Sequence, residues 1–352
     1  MTLTIDLASD DDAAAWDDYV LANPLASFFH RYGWARLIKA AYGYASVYLV
    51  ARQGGDIVGV LPLIFVNSPL TGKALISTAF TVGGGIVADD GETANALAAA
   101  AMARGKALGV NYVELRSDTG SVVPAGGDLW HARAGLHAGF TLSIPPQGTD
   151  ILTAIPRKRR AEIRKSLGLA GDGALTICEK PEVSRFLQLY RASLHALGTP
   201  VFPARYLEAL VVQFGDDIGF TTILHGQKPV VSLLSFFHRD QVLPYYVGAV
   251  REARALRAFD LVYWHQLQRA QENGLAIFDF GRSKIDSGSF GYKKTWGLTP
   301  TPLTYCYGLV RAATVPQINV NNPKYALASR VWRHLPLPIA TMGGAILARH
   351  FA

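Results

Sequence analysis

The sequence predicts an α+β fold made of two consecutive units, each a mixed, mostly antiparallel sheet flanked by helices. Its 352 residues correspond to roughly two domains of about 150 residues each. Half of the residues are hydrophobic and 17% are charged, which suits a large core and not a disordered chain. Helix, hairpin, helix and strand signals also recur in the same order in both halves, which indicates an internal duplication.

The first half alternates helix and strand signals. Its predicted elements are, in order, helices at 11–22 and 32–41, strands at 45–52, 57–66 and 74–82, a helix at 92–108 and a strand at 112–116. Gly54 and Gly55 separate the first two strands as a short turn does in a hairpin. Gly109 stands where a glycine commonly ends a helix.

The second half follows the same pattern. Its predicted elements are helices at 156–167, 181–196 and 204–214, strands at 220–225, 229–238 and 242–250, a helix at 259–273 and a strand at 276–281. Gly274 ends the last helix, as Gly109 does in the first half. Five residues after each of these glycines an acid stands in an apolar strand, Glu114 in one half and Asp279 in the other. We place the units at 1–150 and 151–310, and a C-terminal extension at 311–352.

Charge divides the two halves. Residues 1–150 carry 9 Lys and Arg against 14 Asp and Glu, a net charge of −5. Residues 151–352 carry 25 against 13, a net charge of +12. Such an asymmetry predicts an anionic partner for the second half.

Several classes of protein are excluded. Cys178 and Cys306 are the only cysteines, which leaves neither a disulfide framework nor a cysteine-rich zinc module. No HExxH motif is present, so no metal site is predicted. Residues 1–30 contain six Asp and no Lys or Arg, unlike a secretory signal. Uncharged stretches such as 57–72 and 74–88 do not exceed 16 residues, which is shorter than the ~18–20 residues of a transmembrane helix. We therefore expect a cytoplasmic protein.

A basic run opens the second unit. Residues 157–165 contain six Lys and Arg and one acid, Glu162. At helical spacing these cations spread over much of the helix surface, which suits an anionic chain with phosphate groups. Arg157, Arg160 and Arg164 are the candidates for this contact. The alternative is a solvated surface helix with no ligand.

Four segments, together with the order of elements, resemble one family. They are the basic run at 156–165, Gly-Thr-Pro-Val-Phe at 198–202, Phe-Asp-Phe-Gly-Arg-Ser-Lys at 278–284 and Gly-Tyr-Lys-Lys-Thr-Trp-Gly at 291–297. These segments resemble the Fem family, peptidoglycan-bridge aminoacyltransferases made of two tandem acetyltransferase-like (GNAT) domains. The likeness is greatest to Fem-related proteins of exopolysaccharide and exosortase gene clusters. It extends over about residues 10–345 and is most specific at 278–297.

The resemblance implies transfer of an acyl or aminoacyl group to an amine of a cell-envelope precursor, either peptidoglycan or exopolysaccharide. Characterised Fem enzymes take the group from aminoacyl-tRNA, and some carry a long helical arm that this sequence lacks. Two alternatives remain open: an acyl-CoA-dependent N-acyltransferase acting on an amino sugar, and a non-catalytic binder of an anionic polymer. Neither donor implies a tightly bound cofactor.

The donor is expected at the end of the β-meander that the strands predicted at 220–225, 229–238 and 242–250 form. Where GNAT enzymes have a glycine-rich loop for coenzyme A, residues 250–257 contain three arginines and no glycine. Side chains of Arg254 and Arg257 are therefore candidates for binding donor phosphate. Tyr246, near the end of the same meander, is a further candidate substrate-binding residue.

Catalytic candidates follow the last predicted strand. By the resemblance, Lys284 and Lys293 are the candidates for neutralising donor phosphate, with Arg282 and Lys294 beside them. Amide formation also needs a proton acceptor and donors to the developing oxyanion. A carboxylate in apolar surroundings, as at Asp279, has a raised pKa and can accept that proton. The alternative for Asp279 is an ion pair with Arg282 or Lys284. Glu114 is expected to be structural.

Two further regions complete the prediction. His195 and Thr199 precede Pro200 between two helices, and they either line the acceptor cleft or end a helix. The apolar segment 335–348 is bordered by Arg and His residues. It either packs on the first domain as a closing helix or contacts an anionic membrane surface, which would make the protein peripheral to the inner membrane.

Overall fold

The computed structural model describes residues 2–117, 129–316 and 323–350, with no side-chain description for 117 and 323–328. The chain forms two compact units. The first comprises Met1–His137, Pro302–Asn319 and Leu347–Ala352, and the second comprises Ala138–Thr301 and Val320–Ile346. Among the described residues, no helix is both long enough and apolar enough to cross a membrane.

The first unit is a mixed sheet with three helices. Its elements are β1 (Leu3–Leu7), α1 (Ala13–Ala22), α2 (Gly33–Tyr42), β2 (Ala45–Gln53), β3 (Asp56–Ser68), β4 (Gly72–Ser77), β5 (Val87–Ala88), α3 (Gly91–Leu108), β6 (Tyr112–Ser117), β7 (Trp130–Gly139) and, later in the chain, β15 (Thr301–Leu309). The strand order is β1-β2-β3-β4-β6-β15-β7, with β5 beside β3. Helix α3 begins where the Asp90 side chain accepts the N–H of Thr93, and it ends at Gly109, whose φ is +63°.

The second unit has a sheet of its own. Its elements are β8 (Thr141–Ser143), α4 (Arg157–Gly171), β9 (Leu175–Cys178), α5 (Val183–Leu197), α6 (Ala204–Phe214), β10 (Ile218–His225), β11 (Lys228–His238), β12 (Gln241–Ala249), α7 (Ala258–Glu272), β13 (Ile277–Asp279), β14 (Ser283–Lys284), α8 (Gly288–Lys294), α9 (Pro323–His334) and α10 (Leu337–Leu347). The strand order is β8-β13-β12-β11-β10-β9.

Both sheets have the same topology. In the first, β1, β2, β3 and β4 are antiparallel neighbours, β6 lies parallel to β4, and β15 lies antiparallel to β6. In the second, β9, β10, β11 and β12 are antiparallel neighbours, β13 lies parallel to β12, and β8 lies antiparallel to β13. A helix, α3 or α7, leads into each parallel strand. The predicted α+β class, with two mixed and mostly antiparallel sheets, is confirmed.

The outer strands explain where the units differ from the predicted ranges 1–150 and 151–310. Strand β15 follows the second unit in sequence but pairs with β6 of the first unit's sheet. Strand β8, at 141–143, pairs with β13 and belongs to the second unit. Of the extension at 311–352, residues 320–346, which contain α9, belong to the second unit, where α9 packs on α5, whereas 311–319 and 347–352 belong to the first. The order of elements along a sequence does not reveal which strands pair.

Local differences from the predicted elements have physical reasons. The strand predicted at 74–82 ends at Ser77, and Phe80 beyond it has a positive φ of 69° that an extended strand does not allow. Helix α8 was not predicted because it has only seven residues and includes two glycines. It begins at Ser287, whose hydroxyl accepts the N–H of Phe290 at 3.2 Å.

Candidate functional site

Strands β12 and β13 separate soon after they meet. Their parallel ladder has two residue pairs, Gln241–Ile277 and Val242–Phe278. Strand β12 continues to Ala249, whereas β13 ends at Asp279. Both strands are fully described, and beyond Val242 no residue of β12 pairs with β13. A crevice where parallel strands part is a common place for ligands in sheets of this kind.

A bulge shapes the open part of β12. Leu234 pairs with Tyr246 and Ser235 pairs with Pro244, so Tyr245 is an extra residue in the strand. A proline, which has no N–H to donate, is tolerated at such an irregularity. The bulge places the rings of Tyr245 and Tyr246 4.6 Å apart at nearly a right angle.

Tyr246 faces an aromatic cluster. It is 8% exposed, and its hydroxyl lies 3.0 Å from that of Tyr206 on α6. Rings of Tyr190 and Phe202 lie 5.7 and 5.2 Å from its own. Burial, with the neighbouring tyrosines, raises the pKa of Tyr246 well above its ordinary value. Tyr246 therefore stays a neutral phenol that packs α5 and α6 against β12.

Asp279 stands at the end of β13, one residue beyond the last pair with β12. It is half-buried between the buried rings of Phe278 and Phe280, and its Oδ1 accepts the N–H of Gly281 at 2.7 Å. Gly281 has a φ of +69°, a conformation that glycine adopts without strain. The chain therefore turns sharply directly after this carboxylate.

Lys293 on α8 holds the same turn. Its Nζ donates to the carbonyl oxygens of Gly281 and Arg282 at 2.9 and 3.0 Å, and lies 5.6 Å from the Phe140 ring centroid. Burial lowers the pKa of Lys293 to about 8, a shift that the charge of Asp279 opposes and that of Arg282 reinforces. The side chain is 8% exposed, so its role in the structure is to hold the turn through these two hydrogen bonds.

The remaining cations predicted for this region differ in exposure. Lys284 in β14 and Arg282 are half-buried, whereas Lys294 is exposed with its Nζ 5.8 Å from the Phe290 ring centroid. Among the four basic residues predicted here, Arg282 and Lys284 are the nearest to Asp279 in sequence, and both side chains are partly accessible to solvent.

Sequence reasoning missed Arg159. It is the cation of the basic run that lies on the buried face of α4, in line with Ile163 and Ser166. Its guanidinium bonds to the carboxylate of Asp260 and the hydroxyl of Thr295. The spacing 159, 163 and 166 is the signal that could have found it, because residues so spaced share one helix face.

Arg159 also stacks on aromatic rings of the segment that follows α7. Its guanidinium carbon lies 4.8 Å from the ring centroid of Tyr292 and 5.3 Å from that of Trp296. Burial raises the pKa of Asp260, while the nearby guanidinium of Arg159 opposes the shift. The pair ties α4 to the first turn of α7, and the rings tie both helices to α8.

The other cations of α4 face outward. Arg157, Lys158, Arg164 and Lys165 are exposed, and Arg160 is half-buried. Glu162 of the same helix forms an ion pair with Arg257, just before α7. Arg251 and Arg254 are exposed in the turn between β12 and α7. We call the outward residues of α4 and of this turn the basic surface: Arg157, Lys158, Arg160, Arg164, Lys165, Arg251, Arg254 and Arg257.

His195 and Thr199 lie elsewhere in the second unit. Both are at the C-terminal end of α5, where the Nε2 of His195 lies 2.9 Å from the carbonyl oxygen of Leu335. They line a shallow surface pocket with residues of α5, α9 and α10, including Arg191 and Trp332. No residue of β12, β13 or α8 lines it. The structure therefore does not bring these two residues together with Asp279.

In the first unit, the equivalent opening is filled by the chain itself. The segment 78–86 that follows β4 is almost entirely buried, whereas the equivalent 250–257 is largely exposed. The guanidinium of Arg116 donates to Thr81 O at 2.7 Å and to Glu114 Oε1 at 2.8 Å. The two units thus differ at this point, with a buried loop in the first and an exposed loop in the second.

Arg116 and Glu114 of the first unit neutralise each other in a buried ion pair. Burial alone would lower the pKa of Arg116, but the Glu114 carboxylate beside it raises this pKa above its ordinary value. Arg116 therefore stays a cation paired with Glu114, as expected of a structural ion pair. In the described part of the chain, no group of three or more His, Cys, Asp or Glu side chains is placed to hold a metal ion.

Comparisons with known proteins agree with this geometry. Residues 157–294, from α4 to α8, match the acetyltransferase (GNAT) domain family. A comparison with curated protein sequences finds no significant match. The structure is similar to that of FemX, with a TM-score of 0.66 and 14% identity over 93% of this chain and 100% of FemX.

Two further solved structures are similar to the chain. The C-terminal domain of a putative lysylphosphatidylglycerol synthetase from Agrobacterium fabrum has a TM-score of 0.56 and 13% identity, over 91% of this chain and 95% of that one. A tandem GNAT protein from the clavulanic acid biosynthesis pathway has a TM-score of 0.55 and 14% identity, over 90% and 100%. At these identities the likeness concerns the fold.

These findings define the class of the protein. The chain has the tandem GNAT-like fold of Fem-like proteins, and its second unit carries a GNAT acyltransferase domain. The fold that the resemblance implies is confirmed. The match of residues 157–294 to the acetyltransferase (GNAT) domain family supports the expected class of enzyme, an acyltransferase.

Proposed function

We propose that the protein transfers an aminoacyl or acyl group from a large anionic carrier, best matched by aminoacyl-tRNA, to an amine of a cell-envelope precursor on the cytoplasmic side. The observation that carries the proposal is the basic surface beside the crevice of the second unit. The ion pair between Glu162 and Arg257 joins its two parts, the exposed cations of α4 and those of the turn before α7.

The extent of the basic surface favours a polymeric carrier. Residues 157–165 alone span about 12 Å of helix, at 1.5 Å per residue. Exposed arginines at 251 and 254 continue the positive charge beyond this helix. Several phosphates of one chain can be contacted at once over such a length, and this is how proteins gain affinity for nucleic acids.

The turn before α7 favours binding by side chains. The N–H groups of Ala253, Leu256 and Arg257 donate to carbonyl oxygens of Val250, Glu252 and Arg254 within the same segment. These three amides are not free to surround a pyrophosphate, as the backbone of a glycine-rich loop would. This feature supports tRNA over coenzyme A as the carrier.

The crevice supplies the groups for amide formation. The acceptor nitrogen attacks the carbonyl carbon of the donor ester, a C–N bond forms, and the C–O bond to the carrier breaks. Asp279 accepts the proton that the nitrogen loses, and the departing oxygen takes up a proton. Lys284 and Arg282 stabilise the negative charge that develops on the carbonyl oxygen. Lys293 positions the turn that carries these residues.

Binding measured at several salt concentrations tests the carrier. We expect tRNA to bind with a steep dependence on salt, and R157Q/R164Q/R254Q to reduce the slope of log K against log [salt] by about 2 to 3. The control variant is K228Q, which neutralises an exposed cation at the start of β11 and is expected to leave the slope unchanged. Binding of coenzyme A without binding of tRNA would overturn the proposed carrier.

The acyl-CoA-dependent transfer to an amino sugar is the second candidate, favoured by the GNAT match over the crevice itself. Ribonuclease added to a transfer assay separates the two, because only transfer from tRNA would stop. A third outcome, binding of a polyanion with no transfer from either donor, would indicate a non-catalytic binder.

A further inference from the structure

Helix α10 has its small residues inside and its large apolar residues outside. Ala340 and Gly344 are buried, and a Cβ added to Gly344 would lie 2.9 Å from the backbone nitrogen of Val201. On the outer face Ile339, Met342 and Ile346 are 52%, 69% and 63% exposed. Their spacing of three and four residues aligns them along one side of the helix.

This arrangement is the reverse of a helix that faces water. A surface helix normally buries its large apolar side chains and turns polar residues outward. Single exposed apolar residues are ordinary, but an aligned group on one helix marks a surface that binds something. The inner face of α10 needs only small residues because it packs closely on Val201 and on Trp332, whose ring would lie 3.4 Å from a Cβ at Gly344.

Charge around the helix is of one sign. No Asp or Glu occurs after Asp286, while residues 287–352 contain seven Lys and Arg and two His. Arg330, Arg333 and His334 are exposed at the end of α9, immediately before α10. An apolar face bordered by cations is typical of helices that lie in the interface of an anionic membrane.

We propose that α9 and α10 dock the protein on a bilayer that contains anionic phospholipids. The outer face of α10 enters the headgroup region, and Arg330 and Arg333 contact lipid phosphates. With eleven residues α10 is about 16 Å long, so it lies along the surface. This proposal does not depend on the acyl carrier, because its residues are separate from the basic surface and the crevice.

Vesicle flotation tests the docking. The full chain is incubated with vesicles of phosphatidylcholine alone or of phosphatidylcholine with phosphatidylglycerol. We expect binding to the anionic vesicles only, a loss of at least about tenfold in I339N/M342Q/I346N, and a loss of about 30-fold in R330Q/R333Q. The matched control, V212S, changes a 77% exposed valine on α6 and should bind as the wild type does.

Circular dichroism and light scattering complete the test. All four proteins should have the same helix content, because every substituted side chain is exposed. The docking proposal is overturned if the wild type does not float with anionic vesicles, or if the triple variant floats as well as the wild type. It is also overturned if the triple variant converts a dimer to a monomer without changing flotation, since the outer face would then bind a second copy of the chain.

Discussion

The guanidinium of Arg159 and the carboxylate of Asp260 form a buried ion pair that joins α4 to the first turn of α7. Arg159 also stacks on Tyr292 of α8, and the next residue, Lys293, holds the turn after Asp279. A continuous set of contacts therefore runs from the helix that carries the basic surface to the turn that follows Asp279. This pair fixes the position of the site without facing it.

We expect R159M and D260N each to lower the free energy of unfolding by about 3–5 kcal/mol, because each leaves a buried charge without its partner. The matched control is R157Q on the exposed face of the same helix, with an expected effect within about 0.5 kcal/mol. Replacing both partners, as in R159M/D260L, should recover most of the loss. Urea unfolding measures all four variants, and equal stability of R159M and R157Q would contradict the role of the pair.

Arg159 also shows which features of α4 could be predicted from the sequence and which could not. The composition of the basic run predicted a charged helix, and α4 is such a helix, but composition does not separate inward from outward cations. Only the alignment of Arg159 with Ile163 does so, and its partner is 101 residues away in sequence. Alternation and turn glycines predicted most helices and strands, because those signals are local.

Long-range pairing could not be predicted in this way. Strand β15 pairs with β6 in the sheet of the first unit, and β8 pairs with β13 in that of the second. The residues of β15 and β8 do not themselves indicate these partners. The pairing of Glu114 with Arg116 is between residues two apart in one strand, but the burial of both depends on the segment 78–86 folding over them. Such contacts are decided by tertiary packing.

Gly248 should be essential for the packing of α5 on β12. A Cβ there would lie 2.3 Å from the backbone nitrogen of Tyr190, and a helix backbone cannot yield as a flexible side chain can. We expect G248A to lower the free energy of unfolding by about 1–3 kcal/mol. G168A is the matched control: it lies in helix α4 with nothing within 4 Å of an added Cβ. Because alanine loses less conformational entropy than glycine when a helix folds, G168A should raise the free energy of unfolding by about 0.5–1 kcal/mol.

Thermal and urea unfolding of the two glycine variants provide the measurement. A G248A protein as stable as the wild type would show that α5 does not pack against this strand as described.

The buried amine of Lys293 should make stability depend on pH at alkaline values. Its pKa is about 8 in the folded protein against an ordinary value of 10.5, so between these values the unfolded chain binds more protons. Stability contributed by this group therefore rises with pH in that window. The difference in unfolding free energy between wild type and K293M should grow by about 2 kcal/mol, in favour of the wild type, from pH 7 to pH 9.5.

Urea unfolding at four pH values between 7 and 9.5 tests this expectation. Other alkaline titrations are common to both proteins and cancel in the difference. The matched control is K294M, which removes the neighbouring exposed lysine and should show no such trend. A constant difference between wild type and K293M across the range would mean that the amine is not desolvated.

Asp279 and Glu114 stand at equivalent positions of the two sheets, and their variants should separate catalysis from stability. D279N keeps an oxygen that accepts the N–H of Gly281 but loses the ability to take a proton. We expect the rate of transfer to fall by about 10²–10⁴-fold, the usual contribution of a general base. The loss in unfolding free energy should be smaller than in E114Q, because Asp279 is half-buried whereas Glu114 is buried. E114Q instead weakens a buried ion pair with Arg116.

For E114Q we expect a loss of about 3–5 kcal/mol in stability, with kcat within about twofold of the wild type at a temperature where both are folded. The reason is that the first unit fills its own crevice with the segment 78–86, so no substrate reaches Glu114. Steady-state transfer assays and urea unfolding give kcat and the unfolding free energy of each variant. If E114Q reduces kcat as strongly as D279N while remaining folded, the reaction uses the first unit as well, and the assignment of the crevice of the second unit as the catalytic one is wrong.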